Sequence, residues 1–132
     1  LKRLSAFAKV EIIEHKEIGF VEKDNTESIK EKEAEIILDS ITESSYIIAL
    51  DPQGKDTTSE ALSKKISDLE HTTSPLTFII GGPLGLHESI FKKTNLTLSL
   101  SPLTFTHQMT RIILLEQIYR AYMIKSGKSY HH

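Results

Sequence analysis

Three short stretches place glycine or proline directly after an apolar run: Leu50-Asp51-Pro52-Gln53-Gly54, Ile80-Gly81-Gly82-Pro83-Leu84-Gly85 and Leu100-Ser101-Pro102-Leu103-Thr104-Phe105. Residues of this kind let bare backbone N–H and C=O groups come up against a ligand, which is how the edges of adenine are often read. Each stretch taken alone also reads as an ordinary turn. Better-defined chemistry is missing. The glycine run lacks the G-x-G-x-x-G spacing, and no acid about 20 residues on is placed to hold a ribose, so a dinucleotide site is not expected. Neither a phosphate-binding G-x-x-x-x-G-K-[ST] loop nor a G-x-S-x-G nucleophile elbow occurs. With no cysteine, thiol nucleophiles, disulfides and thiolate metal sites fall away together. His15, His71 and His87 sit in unrelated segments, His131 and His132 are adjacent, and no H-x-x-x-H pair exists, so no protein-bound metal is expected.

The elements that must position these loops alternate. Ala8 to His15, with Val10, Ile12 and Ile13 among charges, reads as a strand, and Lys16 to Asn25 as a polar connector. A helix follows, with Asn25, Thr26 and Ser28 as N-cap candidates, Ser28 and Glu31 in capping-box spacing, and Ala34, Ile37, Leu38 and Ile41 on one face. Tyr46-Ile47-Ile48-Ala49-Leu50 reads as a buried strand ended by the turn at Asp51 to Gly54. Thr57 and Glu60 form a second capping box before a helix with Leu62, Ile66 and Leu69 on its stripe. Leu76 to Ile80 is a third strand, a short helix passes through Ser89-Ile90-Phe91, and Leu96 to Leu100 is a fourth strand. A long helix from about Phe105 to Ser126 carries Met109, Ile112, Leu115, Tyr119 and Tyr122 on one stripe and Ile113, Leu114, Ala121 and Ile124 around it. That is more apolar surface than one face buries, which favours a subunit contact. The pattern predicts an α/β fold with a mostly parallel sheet and helices on both faces, in which ligands bind at the carboxyl ends of strands, where the three loops lie.

The chain has 132 residues, 39% hydrophobic and 26% charged, which suits one compact domain. The longest wholly apolar runs, such as Ile112-Ile113-Leu114-Leu115, are far short of the roughly 20 residues that span a bilayer, so no membrane association is expected. The lack of cysteine suits the cytoplasm. A net charge of −2 argues against a protein that coats nucleic acid by bulk electrostatics. The charge is uneven, however: residues 1–70 carry 10 Lys/Arg against 16 Asp/Glu, and residues 71–132 carry 6 against 2. A polyanion would meet the C-terminal half, although solvated faces that merely differ would give the same imbalance.

Together, Phe78-Ile79-Ile80-Gly81-Gly82-Pro83-Leu84-Gly85-Leu86, Leu98 to Met109, Arg111, Leu114-Leu115-Glu116-Gln117-Ile118-Tyr119-Arg120-Ala121 and Tyr130-His131 resemble the ribosomal RNA large subunit methyltransferase H family of the SPOUT class. Order and spacing match through the second half, and Leu50 with Gln53-Gly54-Lys55 resembles the family's preceding strand and loop. The resemblance implies methylation of N3 of a pseudouridine in large-subunit rRNA, with S-adenosylmethionine as donor, on the assembled ribosome. It also implies a homodimer and a C-terminal trefoil knot, a topology that general connection rules disfavour. Residues 1–132 would then be a single SPOUT-like methyltransferase domain. The family usually begins with another strand and most of a helix, and Leu1-Lys2-Arg3-Leu4 reads as the middle of that helix, so this first strand and part of the first helix are expected to be lacking.

By matching position, the resemblance makes Leu50, Gly81, Leu100, Ser101, Pro102, Leu103, Thr104 and Phe105 the cofactor contacts. Methyl transfer from a sulfonium is an in-line displacement, so the enzyme must chiefly align the acceptor nitrogen and take its proton. His107, just after the cofactor loop, is the first candidate for that base, or else a helix-start residue. Tyr130 and His131 could reach the target base or form a solvated tail. Arg111 could hold an RNA phosphate or pair with Glu116 or another acid. Thr106 stands where the family frequently has proline, which is expected to loosen the start of the final helix, and His132 replaces the family's common basic end. A valine at Gly81 is expected to block the adenosine pocket with little loss of folding. The alternative is a dimeric ribosome-binding α/β module that keeps the fold and has lost methyl transfer.

Overall fold

The computed structural model describes residues 11–15, 25–70, 74–81, 84–100 and 106–125. The elements are α1 (Thr26–Ser40), β1 (Tyr46–Asp56), α2 (Ser59–Glu70), β2 (Leu76–Ile80), α3 (Glu88–Lys93), β3 (Leu96–Ser99) and α4 (His107–Lys125). Among the described residues, three strands form one all-parallel sheet in the order β2-β1-β3. The first of them in sequence therefore lies in the middle. This is the parallel α/β arrangement that the alternation predicts.

Side-chain alternation along β1 divides the core in two. Ile48 and Leu50 point to one face and pack with Leu62 and Ile66 of α2, Leu98 of β3, and Leu114 and Ala121 of α4. Ile47 and Ala49 point to the other, where Ala34 of α1, Ile79, Leu86 and Ile90 of α3 complete a second cluster. Helices thus cover both faces, and the unbroken apolar run Ile47 to Leu50 is that of a central strand buried on both sides. A buried hydroxyl ties α2 to α4: Ser63 Oγ donates to the Ala121 carbonyl at 3.1 Å.

Helix starts are set by side chains that accept from free amides. Asn25 Oδ1 accepts from Glu27 N and Ser28 N, so of the three candidates it is Asn25 that caps α1. For α2 the cap is Thr58 rather than Thr57: its Oγ1 accepts from Ala61 N at 3.0 Å, because the helix begins one residue later than the Thr57–Glu60 spacing suggests. Thr106 caps α4, accepting from Met109 N at 3.2 Å, so the residue in the proline position does not loosen this start but satisfies one of its orphan amides.

Two strand assignments change. Glu11 to His15 form no strand; they are exposed and held by side chains, with Ser40 Oγ against His15 Nε2 at 2.8 Å and Glu14 paired to Arg111. Ile12 and Ile13 find no pairing strand among the described residues, and the remainder of that predicted strand lies outside them. In addition, β1 does not end at Leu50. Leu50 and Lys55 both pair with Leu98, so Asp51 to Gly54 bulge out and the strand resumes. Gln53 N donates to Asp51 Oδ1 at 2.8 Å across the bulge, and Gly54 brings the chain back so close that a Cβ there would lie 2.8 Å from the Leu98 carbonyl carbon.

Candidate functional site

The pairing register fixes how the predicted loops meet. Leu50 lies between Ile80 of β2 and Leu98 of β3, so Gly81, one residue past Ile80, Leu100, two past Leu98, and the bulge that follows Leu50 lie toward the same carboxyl side of the sheet. Three cofactor candidates are thereby brought together by backbone geometry alone. The side chain of Leu50 is buried in the core and that of Leu100 packs against the same cluster, so what they can offer a ligand is main chain. Ser101, Pro102, Leu103, Thr104 and Phe105, together with Tyr130 and His131, lie outside the described residues. His107 begins α4, and its side chain lies outside them too.

Gly81 is tightly packed on one side. A Cβ on Gly81 would lie 2.9 Å from Leu86 Cγ, and Leu86 is fixed in the second core cluster. A valine at Gly81 therefore disturbs packing as well as any ligand, contrary to the expectation of little loss of folding. Gly85 takes φ +83°, a left-handed conformation that favours glycine. Leu86 leads to His87, the N-cap of α3, whose Nδ1 accepts from Ser89 N at 3.1 Å. The space beside Gly81 is taken by Leu86, so what Gly81, the bulge after Leu50 and the end of β3 offer a ligand is main chain.

The large cavity of this region, about 600 Å³, runs along the outer edge of β2 rather than across the sheet end. Its apolar walls come from α1, α2 and α4, and Gly81 lines it together with Gln108 and Arg111. Leu50 and Leu100 do not line it, so cavity and strand ends adjoin only around Ile80 and Gly81. The Arg111 guanidinium pairs with Glu14, and Glu116 pairs instead with Arg120 at 2.7 Å. In α4, Leu114, Ala121 and Met123 face inward, whereas Met109 and Ile112 are 47% and 60% exposed. Burial raises the pKa of the Tyr122 phenol above its ordinary value. No metal-competent group of three or more His, Asp or Glu residues occurs among the described residues. No described helix is long and apolar enough to cross a membrane.

Sequence reasoning missed Leu86 and His87 as parts of this region. Their signal was the position of His87 immediately before a short helix, where an N-cap belongs, but histidine is not among the usual capping residues.

The family model described as predicted SPOUT methyltransferase matches residues 1–131. Over 98% of its length the chain is 48% identical to "Ribosomal RNA large subunit methyltransferase H" of Clostridioides difficile, covering 84% of that protein. It is 42% identical to the protein of the same name from Desulfotalea psychrophila, over 99% of this chain and 84% of the relative. The like-named protein of Halothermothrix orenii is 44% identical over 99% of this chain and 85% of its own. With the strand-end geometry and a match over nearly its whole length, the chain belongs to the SPOUT methyltransferase family.

Proposed function

We propose that this protein is an S-adenosylmethionine-dependent rRNA methyltransferase that methylates N3 of a pseudouridine in large-subunit ribosomal RNA on the assembled ribosome. The observation that carries this reading is the 48% identity, over 98% of the chain, to a relative named as a large-subunit rRNA methyltransferase. The convergence of Leu50, Gly81 and Leu100 at one sheet end supports it.

When bound, S-adenosylmethionine supplies a methyl group made electrophilic by its sulfonium. The chain's own residues have three tasks. Main-chain groups of Leu50, Gly81 and Leu100, with Ser101, Pro102, Leu103, Thr104 and Phe105, hold the adenosine end. His107 takes or steers the proton of the acceptor nitrogen, and Tyr130 and His131 contact the target base. Arg111 holds a phosphate of the RNA. Its present partner, Glu14, has a side chain 73% exposed against 38% for Arg111, and a surface pair of this kind is worth only about 0–1 kcal/mol, so a phosphate can displace the carboxylate.

The reading includes a homodimer in the cytoplasm and the family's trefoil knot. The exposed Met109 and Ile112 on α4 support the dimer. The net charge of −2 gives little bulk attraction for naked RNA and favours recognition of a composite ribosomal surface. The test is transfer of labelled methyl from S-adenosylmethionine to assembled ribosomes from a strain lacking this protein, using the complete gene product. Label in a methylated pseudouridine of the large-subunit RNA is expected. A folded dimer that binds the cofactor and transfers no label would be the non-catalytic module instead.

A further inference from the structure

We propose that His87 is a positioning residue that holds Leu86 against Gly81 and that it does so only as a neutral imidazole; the consequence for the cofactor rests on the function proposed above. Four observations converge on it. His87 is the N-cap of α3, in extended backbone at φ −72° and ψ 152°, with Nδ1 accepting from Ser89 N at 3.1 Å and lying 2.8 Å from Ser89 Oγ. Its side chain is largely enclosed, at 14% exposure. Its chain neighbour Leu86 sits in the second core cluster and stands against Gly81 at the point a Cβ would occupy. Finally, α3 is only six residues long, so this cap is a large share of what fixes its start.

The tautomer follows from the partners. Because Nδ1 accepts, the ring proton belongs on Nε2, which lies 3.8 Å from Glu27 Oε2 on α1. A second proton would have to enter at Nδ1. The Ser89 hydroxyl can turn and accept it, but the Ser89 amide can only donate and loses its acceptor. A positive charge also appears at the positive end of a helix. Among the described residues, the ionisable groups around the ring are Glu27 and its partner Lys30, 3.6 Å away on α1, and Glu88 of α3 itself. On its sheet side α3 meets Ile47, Ala49 and Ile79, which carry no charge. Glu27 is 69% exposed and shared with Lys30, so it offsets the charge weakly and does nothing to restore the lost amide partner. Protonation of the ring therefore frees the start of α3, and with it the wall that Leu86 forms against Gly81.

The test compares the complete wild-type protein with His87→Asn, which caps without titrating there, and His87→Ala, which does not cap. Amide-exchange protection factors are read for the segment 81–91 at pH 7.5 and 5.5, and the S-adenosylmethionine dissociation constant at the same two values. Protection in the wild type should fall about fivefold on acidification, the equivalent of losing one cap. His87→Asn should stay protected at both pH values, and His87→Ala should be weakly protected at both. Cofactor affinity should weaken on acidification more in the wild type than in His87→Asn. A wild-type protection that does not change, or an Asn variant that keeps the wild-type pH response, overturns the proposal. So does protection that falls as expected while affinity in wild type and His87→Asn changes alike. A protein that binds no S-adenosylmethionine at pH 7.5 refutes the proposed function, while the exchange pattern still decides the role of His87.

Discussion

Leu86 stands where a side chain on Gly81 would have to go: a Cβ there would lie 2.9 Å from Leu86 Cγ and 3.0 Å from Cδ2. Gly81→Ala should therefore destabilise the protein by about 1–3 kcal/mol through overpacking. Leu86→Ala, which opens a hole in the core, should cost about 2–5 kcal/mol by itself. In the double variant the new methyl group enters the vacated space, so its loss should be about 1 kcal/mol less than the sum. Urea unfolding of the four proteins measures this, and strict additivity would show that the two positions do not meet.

Asn95 extends the sheet by one rung before β3 begins. Its side-chain carbonyl accepts from Ile47 N at 2.8 Å, and its own amide donates to the Ile47 carbonyl at 2.8 Å. Asn95→Ala leaves the amide of a buried central-strand residue without that acceptor, and about 1–3 kcal/mol of stability should be lost. Asn95→Asp keeps an acceptor and should recover part of the loss. An alanine variant with an unchanged urea midpoint would show that water replaces the side chain at no cost.

Met109 and Ile112 are one helical turn apart on the outer side of α4. If α4 meets a second copy, Met109→Lys combined with Ile112→Lys should shift the sedimenting species from dimer to monomer without loss of helical signal. A double variant that still sediments as a dimer would place the subunit contact elsewhere.

His107→Ala should leave the S-adenosylmethionine dissociation constant within about twofold and slow methyl transfer to ribosomes about 10²- to 10⁴-fold, the range for loss of a general base. Single-turnover transfer with saturating cofactor separates the two effects. A variant that transfers at the wild-type rate removes His107 from the chemistry and leaves it as the first residue of α4.

Burial holds the Tyr122 phenol above its ordinary pKa of about 10. The unfolded chain thus releases this proton first as pH rises. The contribution to stability is intact below about pH 10, falls as pH climbs from there to the folded-state value, and is not recovered above it. The urea midpoint should accordingly drop more steeply above pH 10 in the wild type than in Tyr122→Phe. Parallel curves would mean that Tyr122 is as accessible to water folded as unfolded.

What could be read in the sequence was whatever rests on local periodicity and on the chemistry of one residue type. The run Ile47 to Leu50 announced a strand covered on both faces, and Gly81, Leu50 and Leu100 announced loops at strand ends. Long-range register was not legible. Nothing local in Asp51-Pro52-Gln53-Gly54 distinguishes a terminal turn from a bulge, because resumption of β1 depends on Leu98 accepting two successive partners from a segment some 45 residues away. The Glu11–His15 part of the strand assigned to Ala8–His15 shows the opposite error: apolar residues among charges suit a strand, but a strand also needs a neighbour's backbone groups. At the candidate site, the contact between Gly81 and Leu86 needed coordinates because it joins residues that are not neighbours in sequence, and the cap at His87 because histidine is not a usual capping residue.

The placement of β1 in the middle of the sheet has a consequence for synthesis. The strand is complete at Asp56, yet its second partner is not finished until Ser99, roughly 40 residues later. At about 5–20 residues per second, several seconds pass during which a nascent Ile47-Ile48-Ala49-Leu50 has at least one open edge. Chaperone occupancy on stalled nascent chains should therefore be greatest for those long enough for β1, but not β3, to have left the exit tunnel, and should decline once Ser99 has cleared it.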